Sequence, residues 1–185
     1  VSAGMAGGST DAAAVLFGVN KMFGLGLSIK ELMERGVKLG ADIPYCLMRG
    51  TALSEGIGEE LTPLPQIPQC QVLIAKPGIS VSTTVVYESL DAMELKNIHE
   101  IAGKFGNVLE LVTAGKYPVI GEIEQVMKEE GAVNAMMSGS GPTVFGLFTN
   151  PQAAQNAYEK LRYGDASKLA KQVYLTNFFH VKRSR

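Results

Sequence analysis

Apolar residues near the start of the chain recur at three- and four-residue steps, which is the spacing of one helical face. From Asp11 onward, the apolar positions are Ala12, Val15, Leu16, Val19, Met22 and Phe23. The pattern predicts a helix from Asp11 to the glycines of "GLG", with Ser9, Thr10 or Asp11 as its N-cap. The first predicted element is therefore an amphipathic or buried helix preceded by a glycine-rich segment.

A second helix is predicted directly afterwards, because Ser28 and Glu31 form a capping box. Farther along, strand-like and helix-like apolar patterns alternate. The predicted strands are residues 51–54, "CQVLIAKP", "AVNAMM", "PTVFGLF" and "QVYLTNF"; the predicted helices are "VSTTVVYESLD" (capped by Ser82 or Thr83), residues 97–112, "YPVIGEIEQVMKEEG" and "NPQAAQNAYEKLR".

Three prolines in "PLPQIPQ" are typical of a linker and place a domain boundary near residue 66. Beyond this boundary the predicted order is strand, helices, strand, strand, helix, strand. This is the order of a split-βαβ, ferredoxin-like domain with extra helices. The sequence therefore predicts an α+β protein with one domain over residues 1–66 and a ferredoxin-like domain over residues 67–185.

Composition narrows the class of protein. The chain has 185 residues, is 46% hydrophobic and carries a formal net charge of −1. It is long enough to bury a core, and no basic field indicates a nucleic-acid partner. No apolar run is long enough to span a membrane, and Cys46 and Cys70 lack the spacing of metal ligands. We therefore expect a reduced, cytoplasmic protein without nucleic-acid or membrane partners.

The glycine-rich segment before the first helix is a candidate anion site. Gly4, Gly7 and Gly8 alternate with Ala3, Ala6, Ser9 and Thr10, so a ligand can approach the backbone amides at the positive end of a helix. The alternative is a tight bend at a helix start. The segment is not G-x-x-x-x-G-K-[ST], since no lysine follows, and its G-x-x-G-G order does not fit G-x-G-x-x-G.

Two further motifs carry candidate chemistry. Asp42 in "GADIP" is either a helix N-cap, favoured by the proline that follows, or a carboxylate that acts beside the anion site. The "SGSG" of "MSGSGPTVFGLF" is either a hairpin turn of small residues or a second backbone cradle. Taken singly, each motif favours the purely structural interpretation.

Together, these motifs resemble the GHMP kinase superfamily. The opening is similar to the ATP loop P-x-x-[AG]-G-L-G-G-G-S-[ST]-D-A-A, and "LGADIP", "KPGISVSTTVVY" and "GNVLELV" match too, most closely the kinases that act on 4-diphosphocytidyl-2-C-methyl-D-erythritol. The resemblance covers nearly the whole chain. Met5 and Ala6 depart from the usual Leu and Gly, and Val108 stands where Asp is frequent.

The resemblance implies an ATP- and Mg²⁺-dependent kinase of isoprenoid precursor biosynthesis. Its small-molecule substrate would be the cytidine diphosphate methylerythritol, phosphorylated on the 2-hydroxyl. Asp42 would be the catalytic acid–base group, Thr83 would contact substrate, and Ser9 would contact the metal. The implied ATP-binding residues are Val1, Ser2, Ala3, Gly4, Met5, Ala6, Gly7, Gly8, Ser9 and Thr10, with Gly139, Ser140 and Gly141 from the second domain. Residues 1–66 would be the C-terminal part of an ATP-binding domain.

Members of the family also carry an earlier segment with a catalytic lysine and residues that hold the cytosine end of the substrate. Because this chain starts at the glycine loop, we expect that it lacks that segment and does not turn over substrate alone. The alternatives are another superfamily kinase, for homoserine, mevalonate or a sugar, a decarboxylase, or a non-catalytic nucleotide-binding module. The sequence is compatible with a homodimer and does not fix the oligomeric state.

Overall fold

The computed structural model describes residues 4–91 and 106–178. The chain divides into two compact units, which are treated separately below. Unit 1 is Ala6–Pro68, and unit 2 is Gln69–Phe178 together with the described residues Gly4 and Met5.

Two sets of predictions lie outside the described residues. They are the first three residues of the predicted ATP loop, Val1, Ser2 and Ala3, and residues 97–105 of a predicted helix. Among the described residues, no helix has the length and apolarity that crossing a membrane requires.

Unit 1 contains three helices and a hairpin: α1 (Gly7–Met22), α2 (Ile29–Gly36), α3 (Ile43–Met48), β1 (Ala52–Glu55) and β2 (Glu60–Pro63). The three helices pack against one another around a small core. Its buried residues are Ala13, Leu32, Ile43 and Leu47. Burial of these side chains holds α1 and α3 side by side.

Local sequence signals position α2 in unit 1. The predicted capping box is confirmed, because the Ser28 hydroxyl accepts from Glu31 N–H and the Glu31 carboxylate accepts from Ser28 N–H. At the other end of α2, a Cβ added to Gly36 would lie 2.7 Å from Ile43 Cγ2. Because only glycine fits there, α2 can approach α3 closely.

The described residues of unit 2 form four helices and four strands: β3 (Gln71–Lys76), α4 (Thr83–Asp91), α5 (Val108–Lys116), α6 (Val119–Glu129), β4 (Asn134–Met137), β5 (Val144–Phe148), α7 (Pro151–Arg162) and β6 (Gln172–Asn177). The sheet order is β4-β5-β3-β6, with every neighbouring pair antiparallel. The register pairs Leu73 with Gly146 on one side and with Leu175 on the other.

Helices α6 and α7 cover one face of this sheet. The core between them contains Leu73, Ile120, Ile123, Met127, Phe148 and Leu161, all at most 1% exposed. The strand order and the covering helices confirm the predicted ferredoxin-like arrangement. In unit 1, β2 pairs with β1 and forms a hairpin where only a strand and a turn were expected.

Candidate active site

Helix α1 begins with two exposed glycines after a reversal of the backbone. Ala6 has left-handed dihedral angles, φ 45° and ψ 31°, and no side chain caps the helix. The first intrahelical bond runs from Thr10 N–H to Ala6 O at 2.9 Å. The amides of Gly7, Gly8 and Ser9 therefore have no acceptor inside α1, and its first turn carries no acidic residue. Free amides and the helix macrodipole together favour an anion at this end.

The predicted start of this helix is wrong. Ser9, Thr10 and Asp11 lie inside α1, which begins at Gly7, so none of them is the N-cap. The Thr10 hydroxyl instead donates to the backbone oxygen of Ala6 at 3.0 Å. Glycine is unfavourable inside helices, so the sequence pattern did not indicate that the helix already begins at the two glycines. The amides of Gly7, Gly8 and Ser9, already part of the candidate anion site, therefore belong to the first turn of α1.

The left-handed Ala6 gives a stability prediction. Ala6→Gly should raise the free energy of unfolding by about 1 kcal/mol, because an L-residue with a side chain is strained at φ 45°. Ala14→Gly, at an exposed position inside the same helix, should lower it by about 1 kcal/mol. Urea unfolding of both variants measures the two effects. A loss of stability in both would contradict the strained conformation at Ala6.

Asp42 directly precedes α3 and is exposed to solvent. Its backbone is helical, with φ −81° and ψ −12°, and its side chain caps no amide of α3. The interpretation of this side chain as an N-cap is therefore wrong, although the residue occupies the N-cap position. Because the Asp42 carboxylate makes no capping hydrogen bond with α3, it is available to bind a ligand.

Helix α3 packs against α1 and carries Asp42 with it. Cys46 Sγ lies 3.6 Å from Thr10 Oγ1, and Cys46 N–H donates to Asp42 O at 3.2 Å. One helical turn, about 5.4 Å along the axis, thus separates Asp42 from a residue that contacts Thr10. Within unit 1, the structure places the candidate acid–base group near the first turns of α1.

In unit 2, the glycine turn (Ser138–Gly141) connects β4 to β5. Ser138 N–H donates to Thr143 O at 2.8 Å, and Gly141 N–H donates to Ser138 O at 3.0 Å. Gly139 and Gly141 have φ values of 57° and 84°, which favour glycine. The turn is the predicted hairpin connection, and Gly139 is exposed at its tip.

Gly4 of the predicted ATP loop contacts this glycine turn inside unit 2. The Ser138 hydroxyl donates to Gly4 O at 2.6 Å. Gly4 has φ 70°, and a Cβ added to it would collide with Ser138 O. The position therefore requires glycine both for its conformation and for its close approach to the turn.

Four side chains form hydrogen bonds with the glycine turn or with the strand residue before it. They contact backbone groups or the Ser140 hydroxyl. Asn107 Nδ2 donates to Met137 O and Gly139 O, Glu110 accepts from Met137 N–H, Thr113 Oγ1 donates to Ser140 O, and Thr83 Oγ1 lies 2.8 Å from Ser140 Oγ. Only Thr83 was predicted as a site residue. Asn107, the N-cap of α5, and Glu110 and Thr113 within α5 were missed, although "NVLELVT" places them three residues apart.

Among the described residues, no group of three or more His, Cys, Asp or Glu side chains forms a metal cluster. Ser9, the predicted metal contact, supplies one hydroxyl oxygen in the first turn of α1. Mg²⁺ prefers oxygen ligands and commonly takes most of them from phosphates and water. Ser9 is therefore suited to bind Mg²⁺ only when phosphate oxygens supply further ligands.

Comparisons with known proteins place the chain in a family. The family model described as GHMP kinases N terminal domain matches residues 1–50, and the model described as GHMP kinases C terminal matches residues 86–165. A "4-diphosphocytidyl-2-C-methyl-D-erythritol kinase" of Lachnoclostridium phytofermentans is 51% identical over 197 residues, which cover 98% of this chain and 67% of that relative. The chain belongs to the GHMP kinase family.

Two further comparisons agree with this membership. A relative of the same name from Lachnospira eligens is 53% identical over 194 residues, which cover 97% of this chain and 66% of the relative. A crystal structure of 4-(cytidine 5'-diphospho)-2C-methyl-D-erythritol kinase superposes with a TM-score of 0.75 at 29% identity, over 95% of this chain and 66% of that one. The chain thus spans about two thirds of the length of these GHMP kinases. The predicted α+β fold of the family is confirmed.

Proposed function

We propose that the full-length enzyme transfers the γ-phosphoryl group of ATP to the 2-hydroxyl of 4-diphosphocytidyl-2-C-methyl-D-erythritol. Relatives about 50% identical to this chain carry the name of that kinase, which supports the proposal. The reaction belongs to isoprenoid precursor biosynthesis and takes place in the cytoplasm, without nucleic-acid or membrane partners.

The start of α1 is the observation that carries this proposal. Three amides without a helical acceptor and a first turn free of acidic residues suit nucleotide phosphates. The proposed phosphate-binding segment is Val1 to Thr10. Phosphoryl transfer depends mainly on positioning and on neutralising charge, which this end of the helix supplies.

Asp42 is the proposed acid–base residue. Its exposed carboxylate caps no helix amide and directly precedes α3, which packs on α1. In the reaction it accepts the proton of the attacking hydroxyl, or orients that hydroxyl toward the γ-phosphorus. Asp42 touches the acceptor alcohol rather than ATP, so the two substrates depend on different residues.

Mg²⁺, which we propose as the accompanying ion, neutralises phosphate charge when bound. Ser9 is the residue of α1 proposed to hold it, through its hydroxyl oxygen. The amides beside Ser9 bind phosphate oxygens directly, so the residues of this chain still orient the nucleotide through their own hydrogen bonds.

Unit 2 supplies the remaining proposed contacts. The exposed Gly139, with Ser140 and Gly141, offers backbone groups to the nucleotide, and Thr83 contacts the substrate. We propose that residues 1–66 are the C-terminal part of the ATP-binding domain and residues 67–185 are the C-terminal domain. A homodimer stays a prediction that sedimentation equilibrium would test.

The test is ADP release by the full-length enzyme with three separate alcohols. We expect ATP-dependent turnover with 4-diphosphocytidyl-2-C-methyl-D-erythritol and negligible turnover with homoserine or mevalonate. Preference for either of the latter would assign another kinase of the family. Nucleotide binding without turnover of any alcohol would indicate a non-catalytic module and would refute the proposal.

A further inference from the structure

Three polar side chains at the start of α5 bind the glycine turn and the strand end before it. Asn107 is the N-cap of α5, and Glu110 and Thr113 are neighbours on one face of the helix, three residues apart. Their hydrogen bonds reach the N–H and C=O of Met137 and the C=O groups of Gly139 and Ser140. We refer to these three residues as the α5 clamp.

Glu110 is the charged member of the α5 clamp. Its Oε2 accepts from Met137 N–H at 2.8 Å. A hydrogen bond to an ionised acceptor is stronger than one between neutral groups. Because Met137 is the last residue of β4, this bond fixes the point at which the strand ends and the glycine turn begins.

A second carboxyl group lies beside Glu110. Glu124 on α6 is buried, with 7% of its surface exposed, and its Oε2 accepts from Lys128 Nζ at 3.1 Å. Its Oε1 is buried and has no hydrogen-bond partner. Helix α5, which carries Glu110, packs against α6, and the Glu110 carboxyl group acts on Glu124 by its charge and by hydrogen bonding. Two ionised carboxylates only accept hydrogen bonds, so a donor between them requires a proton on one of them.

We propose that Glu110 is a positioning residue for the glycine turn, and that a proton held by Glu124 keeps the Glu110 carboxyl group aligned on Met137 N–H. With the proton present, Glu124 donates to Glu110, which stays on the amide. Without it, two like charges face each other and Glu110 is driven from this position. The inference rests on the proposed function only in assigning the turn a part in catalysis.

The groups around Glu124 determine the pH range in which this residue ionises. Burial, and then the charge of Glu110, raise the pKa of Glu124 to about 7, although Lys128 opposes the change. Glu124 therefore holds its proton below about pH 7 and loses it above this pH. Strands β4 and β5, which pack on α6, carry no titratable side chain within their bounds. On α7, Lys160 is bound to Glu130 at 2.9 Å.

The direct test is the ¹⁵N–¹H resonance of Met137, followed from pH 5.5 to 8.5. We expect its amide proton shift to titrate with a midpoint near pH 7, because the acceptor changes position as Glu124 ionises. In Glu124→Gln the side chain donates at every pH, so the titration should disappear. An amide shift that is constant in the unmodified protein would overturn the proposal, whatever reaction the enzyme catalyses.

The catalytic readout is the pH profile of kcat in the full-length enzyme. Between pH 6 and 8.5, kcat should fall on the order of tenfold through the loss of one charge-assisted hydrogen bond. Glu124→Gln should abolish this decline and match the unmodified enzyme at pH 6. If kcat of Glu124→Gln fell with pH as it does in the unmodified enzyme, the interaction of Glu110 with Glu124 would not be the cause of the fall. Absence of activity in the unmodified enzyme would instead count against the proposed function and leave the Met137 test decisive.

Two further variants separate positioning from folding. Glu122→Gln changes an exposed glutamate on α6 and should reproduce the unmodified Met137 titration. Glu110→Gln removes the neighbouring charge that raises the pKa of Glu124, so the Glu124 carboxyl resonance should titrate at lower pH than in the unmodified protein. A Glu124 midpoint that Glu110→Gln leaves in place would show that the two groups do not interact.

Discussion

Asp42→Asn is expected to lower kcat of the full-length enzyme by about two to four orders of magnitude, the usual contribution of a general acid–base group. The amide keeps the size of the carboxylate but cannot accept the hydroxyl proton. Because the Asp42 side chain caps no amide of α3, the substitution should leave stability nearly unchanged. Steady-state kinetics with ATP and the alcohol, together with a thermal unfolding curve, measure both effects.

The affinity for ATP distinguishes this role from a general effect on the site. The amides of α1 remain in place in Asp42→Asn, so the Kd for ATP should stay within about threefold of the original value, a difference below 1 kcal/mol. Asp165→Asn, at an exposed position in unit 2, is the matched control and should be fully active. Equal rates in the two variants would remove Asp42 from the mechanism.

Gly4→Ala should lower kcat/KM on the order of a hundredfold, because a small displacement of a phosphate-binding group has this effect. The new Cβ would collide with Ser138 O, and the φ value of 70° disfavours alanine as well. Gly4 must therefore leave the glycine turn and lose the hydrogen bond from the Ser138 hydroxyl. Kinetics at several ATP concentrations should locate most of the loss in the apparent affinity for ATP.

Stability should change little in Gly4→Ala, since losing the contact between Gly4 and the glycine turn leaves the core of unit 2 intact. Gly18→Ala is the control, because a Cβ at that α1 position meets nothing within 4 Å. It should be active and more stable by up to about 1 kcal/mol. If Gly4→Ala retained full activity, Gly4 would not belong to the nucleotide site.

Local signals made most of the fold predictable. The capping box of Ser28 and Glu31 contains both of its partners within four residues, and the apolar run of β3 is bounded by a proline. The described strands and helices of unit 2 are likewise predictable from the periodicity of their apolar residues. By contrast, β2 has a single half-buried residue, Leu61, and adjoins the proline-rich linker, so no alternation marked it as a strand.

The candidate site was less predictable because its geometry depends on distant partners. A polar residue at every third position in "NVLELVT" is as typical of a solvent-exposed helix face as of a face that binds a loop. The backbone groups that Asn107 and Glu110 bind lie about thirty residues later in the chain. Alanine favours helices, so nothing local indicated that Ala6 takes left-handed angles. The catalytic role proposed for Asp42 comes from the resemblance, and its motif alone favoured a capping role.

The bond between Ser138 and Gly4 also constrains the order of folding. Its partners are 134 residues apart, so at ordinary translation speeds roughly ten seconds pass between their synthesis. Until the second partner leaves the ribosome, the segment around Gly4 has nothing to dock on. The segment around Gly4, which we propose to bind nucleotide, is therefore synthesised long before the glycine turn on which it docks, so its proposed ligand binding has to wait for the folding of unit 2.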